Sequence, residues 1–198
     1  MFNFNKNYLN EEIPTGGNTI NQNGCYEVII DEAKIRTYDN TYSESLNLKL
    51  HDEKTNKKCW LNLFYKNRDG EDVEFNNKHI SHLVYLLQIK PELDSGGNIP
   101  GFINKRIGIF LSVEAETLKN GKEGYKFNLQ GFYDPINKLT SKEKIEKLQG
   151  EVYYNFKERY KDSPVVELNK NKVCNTNDIN NDEDINSFFP VDNNDLPF

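Results

Sequence analysis

Trp60 and Phe64 lie in the run Lys58-Cys59-Trp60-Leu61-Asn62-Leu63-Phe64-Tyr65-Lys66. Its period-two alternation predicts a strand with Cys59, Leu61, Leu63 and Tyr65 on one face and Trp60, Asn62, Phe64 and Lys66 on the other. The first set reads as a core face. Large rings on the opposite, polar face need a reason. Stacking on an unpaired base is one, worth ~1–3 kcal/mol per base; packing of Trp60 beneath a later helix or the N-terminal leader is the other. Tyr38 and Tyr42 flank the Asp39-Asn40 turn that precedes the next strand. Lys34, Arg36, Lys49, Lys57, Lys58, Lys66, Arg106 and Lys126 are the cations placed to meet phosphates, and Lys119 and Lys122 sit in a later loop.

The net charge of −6 argues against a nucleic-acid binder only while it is read as a sum. Residues 178–198 carry six acids (Asp178, Asp182, Glu183, Asp184, Asp192, Asp195) and no Lys or Arg, which leaves 25 acids balancing 25 bases elsewhere. Within 34–68, eight bases face four acids. Charge is thus segregated into a basic stretch and an acidic tail. Because the remainder is neutral rather than basic, affinity is expected to lean on stacking.

Other chemistry finds little support. His79 and His82 fall three apart on a predicted helix, but no further Cys or acid spacing completes a metal site, so both read as surface histidines and no metal or cofactor is expected. No P-loop, GxGxxG or Ser/His/Asp logic occurs. Glu114 and Glu116 beside Lys119 resemble a nuclease cluster only loosely, and a non-enzymatic protein is expected. Cys25, Cys59 and Cys174 are odd in number with no CxxC spacing, which suits a reducing compartment. The N-terminus lacks a secretory pattern, and no apolar run is long enough to cross a bilayer. The expected location is the cytoplasm of a bacterial host, away from the membrane.

The positioning elements follow from periodicity. Residues 1–23, rich in Asn and Gly, read as a flexible leader, pinned if at all by Phe2, Phe4 and Tyr8. Strands are predicted at 25–37 (Tyr26, Val28 and Ile30 on one face), 45–51 (Leu46, Leu48, Leu50), 58–66, 105–115 (Ile107, Ile109, Leu111, Val113) and 125–133 (Tyr125, Phe127, Leu129). Between the third and fourth, Ile80, Leu83, Val84 and Leu87 mark an amphipathic helix capped by Asn76 or Asn77 and limited by Pro91. Three strands, a helix and two strands is the layout of an OB-fold, a five-stranded Greek-key barrel whose strands two and three, with the 1–2 and 4–5 loops, form the ligand face. A second helix over 141–160 opens with the capping box Thr140-x-x-Glu143, carries Ile145, Leu148, Val152 and Phe156 as a stripe, and is expected to dock on the barrel or a partner. The organisation expected is leader 1–23, OB-fold 24–135, helical extension 136–162 and disordered acidic tail 163–198.

The chain ends Asp195-Leu196-Pro197-Phe198, behind Asp182-Glu183-Asp184. This closely resembles the tip of single-stranded-DNA-binding proteins of bacteria and their phages. A terminal Phe offers a ring to an apolar pocket and a carboxylate to an adjacent Arg or Lys. The stretch from Gly24-Cys25-Tyr26-Glu27-Val28 through Cys59-Trp60-Leu61-Asn62-Leu63 is similar, more diffusely, to small phage proteins encoded near recombination genes. The resemblance implies a sequence-independent binder of single-stranded DNA in replication or recombination, recruiting partner proteins through its tip; the long leader and the second helix depart from bacterial housekeeping binders, so their tetramer is not carried over. The alternative is an OB-fold interaction module whose tip mimics the host tip and competes for host repair factors.

Overall fold

Leu46, Leu48 and Leu50 turn inward as their spacing predicts, and each is at most 1% exposed. The computed structural model describes residues 18–38, 41–118 and 122–168. Phe2, Phe4 and Tyr8, the Asp39-Asn40 turn, Lys119, Cys174, and the tail from 169 with the tip Asp195-Leu196-Pro197-Phe198 lie outside the described residues.

The protein is mainly β. Five strands, β1 (Gly24–Thr37), β2 (Glu44–Asp52), β3 (Lys58–Lys66), β4 (Arg106–Thr117) and β5 (Glu123–Tyr133), form one antiparallel sheet in the order β3-β2-β1-β4-β5. The two edge strands, β3 and β5, approach each other without forming a ladder. The sheet therefore curls toward a barrel-like shape with an open seam. Helix α1 (Glu74–Leu87) follows β3 and packs against both β3 and β5 at that seam. Its Leu83 is fully buried, and Ile80, Val84 and Leu87 pack partly buried against the same core. The core itself is the inner sheet face, with Ile30, Leu48, Leu61, Ile109 and Phe132 at most 2% exposed.

Several sequence expectations shift for local physical reasons. A single alternation does not run through β1: a register shift between Ile30 and Glu32 changes the phase, so Val28 and Ile30 are followed inward by Ala33 and Ile35. Such a bulge adds one unpaired residue and keeps the charged Glu32 and Lys34 out of the core. Asn76 and Asn77 do not cap α1, whose N-cap is Val73. Their amides instead donate to the Phe64 and Tyr65 carbonyls (2.8 and 3.0 Å), groups at the end of an edge strand. Residues 18–23, read as part of the leader, are built into the fold: Ile20 is 0% exposed and its N–H donates to the Lys58 carbonyl at 2.9 Å.

The predicted second helix is two helices, α2 (Ser141–Glu146) and α3 (Glu151–Arg159). The Thr140/Glu143 capping box forms. Lys147 then turns left-handed, and at Gly150 a Cβ would stand 2.9 Å from the Leu139 side chain, which breaks the helix at a tight passage. Ile145, Leu148 and Val152 are consequently exposed, and only Phe156 of the expected stripe docks, 4.9 Å from Phe110 between ring centroids. Tyr153 adds a contact with Tyr133 (5.0 Å). Helix α3 thereby covers the outer face of the sheet over the start of β1 and β4. Beneath it, burial alone would raise the Glu27 carboxyl, but hydrogen bonding and charge from Lys138 and the charge of Arg106 hold it below the ordinary value. No helix among the described residues is long and apolar enough to cross a membrane.

Candidate functional site

The second half of β1, with β2 and β3, keeps its outer face clear of α3. Strand register sets three rows there. Arg36, Ser45 and Phe64 form one, Lys34, Asn47 and Asn62 the next, and Glu32, Lys49 and Trp60 the third. Lys58 and Lys66 end the β3 column. Tyr38 leans over Phe64, with ring centroids 5.3 Å apart, while its hydroxyl lies 3.2 Å from the Ser45 hydroxyl. Tyr42, at 74% exposure, projects into solvent from the same loop. The Trp60 ring lies 6.1 Å from that of Phe127, so it bridges the seam between β3 and β5 and stays half-buried, while the leader before residue 18 lies outside the described residues.

The cations are less concentrated than their number suggests. Lys49 pairs with Glu32 at 2.8 Å, and Lys66 with Glu44 at 3.1 Å. Glu44 accepts hydrogen bonds from Tyr65 and Lys66, which hold its carboxyl below the ordinary value. Lys57 turns away to the Asn21 side-chain oxygen at 3.1 Å. Arg106 stands apart from these rows on the covered side, held by Glu27 and Glu53. Lys126 is exposed on β5 across from Glu114, and Lys122 is exposed just before β5. Lys34 is exposed and Arg36 half-buried. Register thus brings Lys34, Arg36, Tyr38, Lys49, Lys58, Trp60, Phe64 and Lys66 onto one surface, and leaves Lys57 and Arg106 off it.

Two polar features escaped the sequence reading. Asn47 is only 6% exposed, and its amide nitrogen has no partner; Asn62, its cross-strand neighbour, holds a buried side-chain oxygen with none. An unpaired amide donor and acceptor therefore sit between the Trp60 and Phe64 rows. Alternation predicted the facing of both residues, but not that neighbouring side chains would bury them. The second feature corrects the histidines. His82 is exposed, but His79 is 7% exposed, lies edge-on to Phe75 (4.5 Å between centroids), and has no partner at either ring nitrogen. Among the described residues no group of three His, Cys, Asp or Glu side chains gathers as metal ligands would.

Burial, and secondarily the charge of His82, lowers the His79 pKa from its ordinary 6.5. The folded state then binds this proton less readily than the unfolded state. The associated stability is complete above about pH 6.5 and is lost as pH falls through the depressed folded value. His79→Phe is expected to flatten the stability-versus-pH curve just below pH 6.5. The paired carboxylates Glu27 and Glu143, lowered from 4.5, act only at more acid pH. Urea midpoints between pH 5 and 8 check this; identical slopes for both proteins would count against it.

Compared with known proteins, the chain matches no protein-family model and no curated protein.

Proposed function

We propose that the chain is a non-enzymatic, sequence-independent binder of single-stranded DNA, built on an OB-fold and acting in replication or recombination. The observation that carries this reading is the outer face of β1–β3, where register sets Tyr38, Phe64 and Trp60 among Lys34, Arg36, Lys49, Lys58 and Lys66 in adjacent rows. Rings supply platforms that accept any base, and cations between them follow a phosphate backbone. The five-stranded antiparallel sheet and the helix between β3 and β4 support the OB-fold reading, in which this face would hold the ligand. Tyr42 extends the platform from the β1–β2 loop. Carboxylate pairing of Lys49 and Lys66 makes stacking the larger contributor. The tip Asp195-Leu196-Pro197-Phe198 recruits partner proteins, in keeping with its resemblance to the docking tip described above.

A second reading, an OB-fold module that binds protein while its tip competes for host repair factors, draws on the same carboxylate pairing. Strand binding separates the two. Labelled oligonucleotides of graded length are titrated with the full chain and with a chain lacking Asp195 to Phe198. The expected result is salt-weakened binding of single strands with little sequence preference. Tip removal should leave affinity equal or slightly higher, since acidic residues compete for the same cations, and should abolish capture of replication or recombination proteins. No strand binding at low salt would favour the second reading.

A further inference from the structure

The seam between β3 and β5 opens into a cleft of about 380 Å³. Leu61, Leu63 and Leu129 form an apolar strip of its lining, Phe75 and Phe127 supply two rings, and the rest of the lining is mainly polar. Asn62 and His79 line it as well, and both hold buried polar atoms without partners. No Lys or Arg lines it, and Glu114 does. A phosphate or carboxylate would meet a like charge there and no counter-charge. The occupant that fits is neutral, apolar on its faces and able both to donate and to accept hydrogen bonds. The volume lies at the small end of the roughly 300–1,000 Å³ typical of ligand pockets.

We propose that this cleft receives one nucleobase of the bound strand. The proposal rests on the single-strand reading above and adds a polar readout to it. Trp60 marks the route, because its ring lies on the stacking face and also meets Phe127, which lines the cleft. A base leaving the outer stack beside Trp60 therefore enters over Phe127, while its phosphates stay outside with the cations. Within the cleft the Asn62 side-chain oxygen accepts from an N–H on the base edge. His79, neutral when buried, offers one donor and one acceptor. Stacking on Tyr38, Phe64 and Trp60 ignores base edges, so binding keeps a weak sequence preference confined to one position of the strand.

The test separates polar readout from stacking. An oligothymidine of the shortest length that binds the full chain is resynthesised with one thymine at a time replaced by difluorotoluene, which keeps the ring's shape but loses its hydrogen bonds. The expected profile is flat except at one position, where affinity falls roughly 5- to 150-fold, the cost of leaving buried groups unpaired. His79→Phe and Asn62→Leu should each reduce that dip and leave the flat positions unchanged. Both replace an unpartnered polar group by an apolar one, and thermal unfolding verifies that both fold. A flat profile with the wild-type chain, on strands that bind well, overturns the cleft and spares the single-strand reading. Failure to bind any strand overturns both. In a parallel arm, millimolar thymidine should leave the complex intact; displacement of the strand together with a flat profile would assign the cleft to a free nucleoside and overturn the proposal.

Discussion

Replacing Trp60 and Phe64 together by alanine is expected to weaken single-strand binding by ~2–6 kcal/mol, twice the ~1–3 kcal/mol that one stacked base contributes. The two losses should nearly add. Four residues of extended strand separate the side chains by roughly 13 Å, beyond the range at which neighbouring losses usually couple. Trp60→Ala also removes a contact across the β3–β5 seam, so it should cost some stability as well as affinity. The titration is therefore run beside a urea curve for each variant, at a temperature where all remain folded. Trp60 is the only tryptophan, and its emission reports directly on the wild-type complex. A double variant that folds and binds within twofold of wild type would remove the outer face from the binding site.

The second large effect concerns the part of the outer face that the extension covers. Gly108 lies under the ring of Tyr133, and a Cβ added there would stand 2.3 Å from the nearest ring carbon. Tyr133 has little room to retreat. It is 0% exposed, its hydroxyl donates to the Tyr26 carbonyl at 3.1 Å, and Phe110 and Tyr153 pack against it at 4.9 and 5.0 Å. Gly108→Ala is expected to destabilise the protein by ~1–3 kcal/mol through overpacking. Because Tyr133 supplies the surface on which Tyr153 rests, the same change should loosen α3. Amide exchange across Glu151–Arg159 should accelerate more than across β2, and the urea midpoint should fall. A midpoint equal to wild type would mean that Tyr133 can move freely, against the packing described.

Much of this architecture could be read from residue types. β3 appears with the predicted bounds, and the capping box at Thr140 and Glu143 forms, because each depends on chemistry within a few residues. The same holds for the facing of Trp60, Asn62 and Phe64, which alternation alone specifies. The motif Asp195-Leu196-Pro197-Phe198 likewise is legible in the sequence alone, and it lies outside the described residues.

Other properties depended on which strands became neighbours. No local pattern distinguishes His82, which is exposed, from His79, which is buried where α1 meets β5; Phe132, 6.3 Å from its ring, is 53 residues away in sequence. Cross-strand pairing decided that Lys49 and Lys66 would meet Glu32 and Glu44, and so weakened the electrostatic argument that a count of bases supported. It also placed Asn47 beside Asn62 and left their buried amide groups without partners. Composition and periodicity report on one residue and its near neighbours. Burial, ion pairing and cavity shape are set by residues far apart in sequence, and here the open seam between β3 and β5 is the place where that long-range arrangement added what the sequence did not contain.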